Sequence, residues 1–402
     1  MDEPKNLLVT LTGKDRPGVT SAMFAVFATA GVAVLDIEQI VLRNRLVLGI
    51  LITAPRDWKK LRDAIQHTAA DLDMNVEVEK GVGDNRRRHG ERSHITLLGS
   101  PLKASAVSAI AGRIADCGAN IDRIERMARY PVTAIEMHVS GAPAEVLRPL
   151  LTAEAKAQRI DLAVQRESLH RRGVRLIVMD VDSTLIQGEV IEMIAAHAGF
   201  EAEVAAVTEA AMRGEIDFEE SLRQRVALLE GVPATALDEV YDGIVLAPGA
   251  RTMVRTLRRL GYHFAIVSGG FTHITDRLAD ELDIHFARAN ELEIVDGRLT
   301  GRIVGQVVDR AGKATALREF AAEAGVPVDA VIAVGDGAND LDMLNAAGLG
   351  IAYNAKPLVR DAADAALNVP YLDTILYLLG ISREEIEESD AEVGIVTPSP
   401  PL

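Results

Sequence analysis

Residues Leu176–Glu189 read LIVMDVDSTLIQGE, an apolar run that ends in two aspartates one residue apart. If the run is a strand, Asp180 and Asp182 point to the same side and continue past its end. Two carboxylates there repel unless something positive lies between them or the chemistry needs both. A hard divalent cation, which prefers oxygen ligands, removes the repulsion. A third carboxylate is at hand in Val331–Asp340, VIAVGDGAND, where Asp336 ends another apolar run ahead of Gly337, Asn339 and Asp340. Ile266–Gly270, IVSGG, delivers Ser268 and two glycines to a helix start at Thr272. Glycines let the backbone approach an anion, and helix N-terminal amides donate to it. Lys313, in DRAGKATAL near another helix start, could supply the positive charge a phosphate needs.

These groups amount to a metal site, a phosphate cradle and a spare carboxylate. No GxxxxGK[ST] loop accompanies them and no Ser/His/Asp arrangement is evident. The nine histidines show no HExxH or H-x3-H spacing, so a zinc site is not expected. A carboxylate partly neutralised by a metal can attack phosphorus. A second can protonate the departing oxygen and later activate water.

The elements that must position these residues follow from the apolar pattern. From Arg175 onward, LIVMD, HFAIVSGG, AVIAVGDG and LGIAYN alternate with helical stretches. Continuous apolar strands between helices indicate a parallel sheet covered on both faces, and functional groups in such sheets sit at the carboxyl ends of strands. Asp180, Ser268 and Asp336 all fall there. Residues from about Gly188 to Leu246 read as helices only, too long for a simple crossover, so a helical lid is expected above the strand ends. Glu291–Gly305, with Asp-Gly between two short alternating runs, predicts a hairpin.

The first 165 or so residues hold a weak internal repeat. NLLVTL and ITLL are strand-like, each runs into a glycine-containing loop and then a helix, and Gly13, Gly31 and Asp36 match Gly99, Gly118 and Asp122. Each copy reads β-α-β-β-α-β, which packs two helices on one antiparallel sheet. The expected divisions are 1–82, 93–168 and 174–388, with a lid over about 188–246 and a mobile tail over 389–402. Gly81–Ser93, with the short basic run Arg86–Arg88, reads as a linker.

The chain of 402 residues is 48% hydrophobic and carries a net charge of −16, enough apolar content for real cores and a poor match to nucleic acid. Its single cysteine, Cys117, excludes an internal disulfide. No secretory signal and no apolar run near 18 residues is present, so a cytoplasmic protein without a membrane span is expected.

The set DVDST, SGG, an isolated lysine and GDGAND resembles the four motifs of the phosphatases of the haloacid dehalogenase superfamily. Within them, DSTLIQGEVIEMIA, MRGEIDFEESLRQRVALLEG, LAPGA and VSGGFTHI resemble the phosphoserine phosphatases, over about Arg175–Leu379. The resemblance implies a Rossmann-like α/β core with a helical cap. It implies Asp180 as a nucleophile that becomes a phosphoaspartate and Asp182 as general acid and base. Mg2+ would be held by Asp180, the backbone carbonyl of Asp182 and Asp336. Ser268, the Gly269 amide and Lys313 would hold the phosphoryl group, with Asn339 nearby. Glu189 would face the substrate ammonium and Arg225 its carboxylate, with Met212 and Phe218 lining the lid side. Such a charge pair suits a zwitterion. Glu209, Glu215, Glu219 and Arg223 are expected to be solvated lid charges.

The N-terminal repeats resemble ACT domains, small amino-acid-binding modules of the βαββαβ (ferredoxin-like) type. GKDRPGV matches their first loop closely, while the second copy has GSPLKASAV and lacks Asp-Arg-Pro-Gly. In the first copy the Asp15–Gly18 loop and Asp36 are the expected ligand residues. The implied activity is hydrolysis of O-phospho-L-serine in serine synthesis, with L-serine as effector and a homodimer built through the ACT-like modules. The alternatives are another small phosphomonoester as substrate, or an amino-acid sensor without catalysis.

Overall fold

The computed structural model describes residues 5–82, 91–168, 173, 175–212 and 215–398. The centre of the expected linker, with Arg86–Arg88, lies outside them. The chain divides into two compact units, 1–89 and 90–402.

In the first unit the order is β1 (Lys5–Lys14), α1 (Val19–Ala30), β2 (Val34–Leu42), β3 (Arg45–Thr53), α2 (Trp58–Asp71) and β4 (Met74–Val82). The antiparallel sheet runs β2-β3-β1-β4. Alternation along β1 and β3 sends Leu7, Val9, Leu11, Leu48, Ile50 and Ile52 against Met23 and Phe27 of α1 and Ile65 of α2, all fully buried or nearly so. α1 starts after Gly18 and stops at Gly31, both with positive φ.

The second unit begins with the same order: β5 (Arg92–Gly99), α3 (Ala104–Asp116), β6 (Asn120–Ala128), β7 (Thr133–Ser140), α4 (Ala144–Gln158) and β8 (Asp161–Arg166). The repeat read from the sequence is therefore structural. Then follow β9 (Leu176–Met179), α5 (Val190–Ala198), α6 (Glu201–Met212), α7 (Phe218–Ala227), α8 (Thr235–Asp242), α9 (Ala250–Arg259), β10 (His263–Phe271), α10 (Thr272–Leu282), β11 (Phe286–Val295) and β12 (Arg298–Val304). The chain closes with α11 (Arg310–Glu323), β13 (Val331–Gly335), α12 (Leu341–Ala346), β14 (Leu349–Tyr353), α13 (Pro357–Ala362), β15 (Ala365–Leu367), α14 (Ile375–Leu378) and α15 (Arg383–Glu392).

β11, β10, β9, β13, β14 and β15 lie parallel, as continuous apolar runs require. Ile177 and Met179 face the helices of one layer with Phe264 and Ile332, while Leu176 and Val178 face α11 and α12 with Ala265 and Ala333. Asp296 and Gly297 both have positive φ and close the predicted hairpin β11–β12. The cap is entered and left through a narrow neck, where Ile186 and Leu246 form an isolated antiparallel bridge.

Two expectations are corrected. The second repeat was read as a module separate from the core, but β8 pairs antiparallel with β15, so its sheet and the core sheet are one of eleven strands. Leu162 and Ala163 supply an edge with free amides and carbonyls, and pairing satisfies them. The tail expected to be mobile from residue 389 instead continues α15 to Glu392 and stays docked to Pro398. Asp390, fully buried, accepts from Arg255 (2.9 and 2.5 Å), Arg259 (2.8 Å) and Thr397 (2.8 Å). Arg383 donates to the Pro398 carbonyl. Two of these anchors, Arg255 and Arg259, are charged groups far away in sequence, which a search for local periodicity does not detect. Residues 399–402 lie outside the described residues.

Candidate active site

β9 delivers Asp180 to its carboxyl end, where the Asp180 amide donates to the Val334 carbonyl of β13. The chain then makes one wide turn, Val181–Leu185, closed by the Ile186 amide on the Val181 carbonyl. Ser183 sits there with φ of 58°, and its hydroxyl donates to Glu189. The turn aims Asp182 back over the strand ends. One Asp182 oxygen accepts from the Val190 amide (2.7 Å) and the other from Ser268 (2.9 Å). The Ser268 hydroxyl also accepts from the Gly270 amide at 2.7 Å. A Cβ at Gly270 would stand 2.9 Å from Ser268 Oγ and 3.0 Å from Asp182 Oδ2, so the close approach requires glycine.

Lys313 lies in the first turn of α11, which Asp309 caps through the Gly312 amide. Its ammonium is fully buried and donates to Asp180 (2.6 Å) and to Asp340 (2.7 Å). Asp340 also accepts from the Gly337 amide, and Thr184 donates to Asp336 at 2.9 Å. One carboxylate oxygen from each of Asp180, Asp336 and Asp340 lies within 4.8 Å of the others.

The charges do not balance internally. Burial alone would lower the Lys313 pKa, but Asp180 and Asp340 outweigh it and hold the ammonium protonated. Burial, and then Asp340, push Asp180 well up. Burial also raises Asp182, against the bonds from Val190 and Ser268, and pushes Asp336 up to about 6. One ammonium among four carboxylates leaves a deficit of positive charge. An all-oxygen donor set with that deficit fits a hard divalent cation.

A cavity of about 570 Å³ opens above these groups. Asp180, Asp182, Asp336, Gly269 and Asn339 form its floor, and Phe218, Ser221, Leu222 and Arg225 of α7 form its roof. Glu189 and Glu192 lie on its wall. Burial and then Asp182 raise the Glu189 pKa to about 7, while burial lowers that of Arg225 against the pull of Glu189. Phe218 closes on the floor so tightly that a Cβ at Gly269 would be 3.0 Å from its ring.

Residues 177–345 match the model of the haloacid dehalogenase-like hydrolases, and residues 5–79 and 92–165 match ACT domain models. The chain is 59% identical to a phosphoserine phosphatase of Streptomyces coelicolor, over 96% of this chain and 94% of that protein. It is 53% identical to phosphoserine phosphatase SerB2 of Mycobacterium tuberculosis, over 96% of each chain. A crystal structure of a probable phosphoserine phosphatase from Vibrio cholerae superposes with a TM-score of 0.59 and 35% identity, over 73% of this chain and 88% of that one. The chain belongs to the phosphoserine phosphatase family. It is a hydrolase, a phosphatase with a haloacid dehalogenase-like core and two ACT domains.

In this phosphatase the residues singled out from the sequence fall into two groups. Asp180, Asp182, Ser268, Gly269, Lys313, Asp336, Asn339, Glu189, Arg225 and Phe218 converge on the floor, wall and roof of one site. The side chain of Met212 lies outside the described residues. Asp15 and Gly18 lie just before the start of α1, and Asp36 lies on β2. Asp36 lines a shallow depression with Asn6, Glu79 and Lys80, to which neither Asp15 nor Gly18 contributes.

Three functional residues had no role assigned from the sequence. Asp340 is the second carboxylate on Lys313, and its signal was its place four residues after Asp336. Thr184 orients Asp336, and the Thr of DVDST was the clue. Asn290 had no signal: it is buried, donates to the Gly269 carbonyl (2.8 Å) and accepts from the Val308 amide, so it fixes the strand that carries the glycine pair.

Proposed function

We propose that this phosphatase hydrolyses O-phospho-L-serine to L-serine and phosphate through a phosphoaspartate on Asp180. The observation that carries the reading is that Glu189 and Arg225 line one cavity with Asp180 and Asp182, near enough for Glu189 to act electrostatically on Arg225. A carboxylate and a guanidinium facing one another complement an ammonium and a carboxylate on one small substrate. The cavity volume suits such a substrate.

Asp180 attacks phosphorus in line, with Ser268, the Gly269 amide and Lys313 holding the phosphoryl oxygens. Asp182, its pKa raised by burial, carries the proton that the departing serine oxygen needs. It then takes a proton from the water that cleaves the phosphoaspartate. Asp180, Asp336 and the Asp182 backbone carbonyl would hold Mg2+, which supplies the positive charge the carboxylate cluster lacks. With α7 as roof, closure excludes water until the transfer is complete.

The reading extends to a cytoplasmic enzyme at the last step of serine synthesis, a homodimer through its ACT domains, with L-serine as feedback effector. The names of the relatives support the substrate. The ACT matches support an amino-acid effector, and no helix among the described residues is long and apolar enough to cross a membrane. The test is phosphate release from O-phospho-L-serine with Mg2+, for the wild type and Asp180→Asn, with and without L-serine. Equal rates for the two proteins end the catalytic reading. A wild-type rate indifferent to L-serine ends the feedback reading.

A further inference from the structure

The sheet face of the second ACT domain that points away from α3 and α4 holds a largely buried cluster that the phosphatase chemistry does not use. Strand alternation sends Ile95, Leu97, Met137 and Val139 toward α3 and α4, so His94, Glu136 and His138 project from the opposite face. His94 and His138 stand directly opposite each other on β5 and β7, with ring centroids 4.6 Å apart. Glu125 of β6 stands opposite Glu136.

The donor atoms converge. Glu136 Oε1 is 3.1 Å from His94 Nδ1 and 3.5 Å from His138 Nε2, and Glu125 Oε2 is 3.5 Å from His138 Nε2. Four ligands at about 2.0–2.1 Å from a tetrahedral ion stand about 3.3 Å apart, close to all three separations. His138 Nε2 is enclosed and makes no hydrogen bond, although two carboxylates are near. Thr96 Oγ1, on the same face opposite Glu136, is also buried without a bond. Arg123 holds the other oxygen of Glu125, the kind of outer contact that orients a ligand.

We infer that His94, Glu136 and His138 form a binding site for a divalent transition metal of the zinc class, separate from the catalytic carboxylates, with Glu125 at its edge beside His138. Two imidazoles select such an ion over Mg2+, which takes oxygen ligands. The helical spacings sought in the sequence could not show it, because here ligands lie two residues apart on a strand and across a ladder. His138 and Glu125 are 28% and 38% exposed at the side chain, so the cluster lies close to the surface although the ligating Nε2 atom itself is enclosed. The site does not rest on the catalytic reading.

The experiment loads the full-length protein with Zn2+ in excess Mg2+, removes free metal by gel filtration and counts the bound zinc. One equivalent per chain is expected, with a rise in Tm. His138→Gln should weaken zinc retention about 10–100-fold and abolish the Tm rise, and Asp180→Asn should leave both intact. Glu125→Gln, at an exposed position, should weaken retention without unfolding. Cobalt in place of zinc should give the intense visible absorption of four-coordinate Co2+ in the wild type and in Asp180→Asn. The inference is overturned if no zinc is retained, if His138→Gln and Glu125→Gln retain it as the wild type does, or if Asp180→Asn loses it.

Discussion

Glu189 is the residue whose behaviour is easiest to check. Its pKa, raised to about 7 by burial and then by Asp182, means that it is largely protonated below that pH in the free enzyme. If it holds the substrate ammonium, kcat/KM for O-phospho-L-serine falls as pH drops through about 7. Glu189→Gln should lose about tenfold or more at pH 8 and no longer show that acidic limb. A pH profile of both proteins checks it, and an unchanged limb in the variant places the titration elsewhere. Lys313 poses a different test. Lys313→Met leaves Asp180 and Asp340 buried without their ammonium, which costs about 3–5 kcal/mol by denaturant unfolding as well as the activity. The sequence made Asp180, Asp182 and Asp336 visible because they interrupt apolar runs, where a charge is costly without a purpose. It left Asn290 invisible, since an asparagine inside an unremarkable strand acts only through the backbone it meets.

At the scale of elements, the cap rests on the β11–β12 hairpin. The Gly231 amide donates to the Leu299 carbonyl across the junction, and the Leu299 amide donates to the Val232 carbonyl. Gly301, at φ of 76°, lies so close to α7 that a Cβ would stand 3.2 Å from the Ala227 backbone. Gly301→Val should therefore push on the helix that carries Arg225, raising KM for O-phospho-L-serine several-fold and lowering Tm. Steady-state kinetics with a carboxylate-free phosphate ester as control separates displaced Arg225 from general damage, because only the first spares the control substrate. α15 offers a stability test. Burial works against the Asp390 charge, yet bonds from Arg255, Thr397 and Arg259 hold its pKa below the ordinary value. A depressed folded pKa gives stability that is fully present above the unfolded value of about 3.9 and lost as pH falls from there through the lower folded value. Asp390→Asn should cost about 2 kcal/mol at pH 7 and less as pH falls below about 3.9, as urea unfolding on the two sides of that value would show. The hairpin was legible from Asp-Gly and the helices from their apolar spacing. The docked tail was not, because its partners lie about 130 residues away in the chain.

At the scale of the whole molecule, every described residue of the active site belongs to the second unit. A chain of residues 90–402 should keep its kcat, while one that starts at residue 169 loses β8, bares the edge of β15 and should associate or unfold at lower temperature. Activity and light scattering on the two truncations check this. The repeat and the parallel core could both be read from alternation and apolar runs. Their fusion could not, because β15 is a three-residue Ala-Ala-Leu strand with no pattern of its own.

That fusion means the second ACT domain is not carried on a tether. Three strand neighbours, β15, β14 and β13, separate β8 from β9, whose end bears Asp180. A twist imposed on the outer sheet has no slack segment in which to dissipate along that ladder, so it is shared with the strand that ends at Asp180, much as a load on one end of a plank bends the plank.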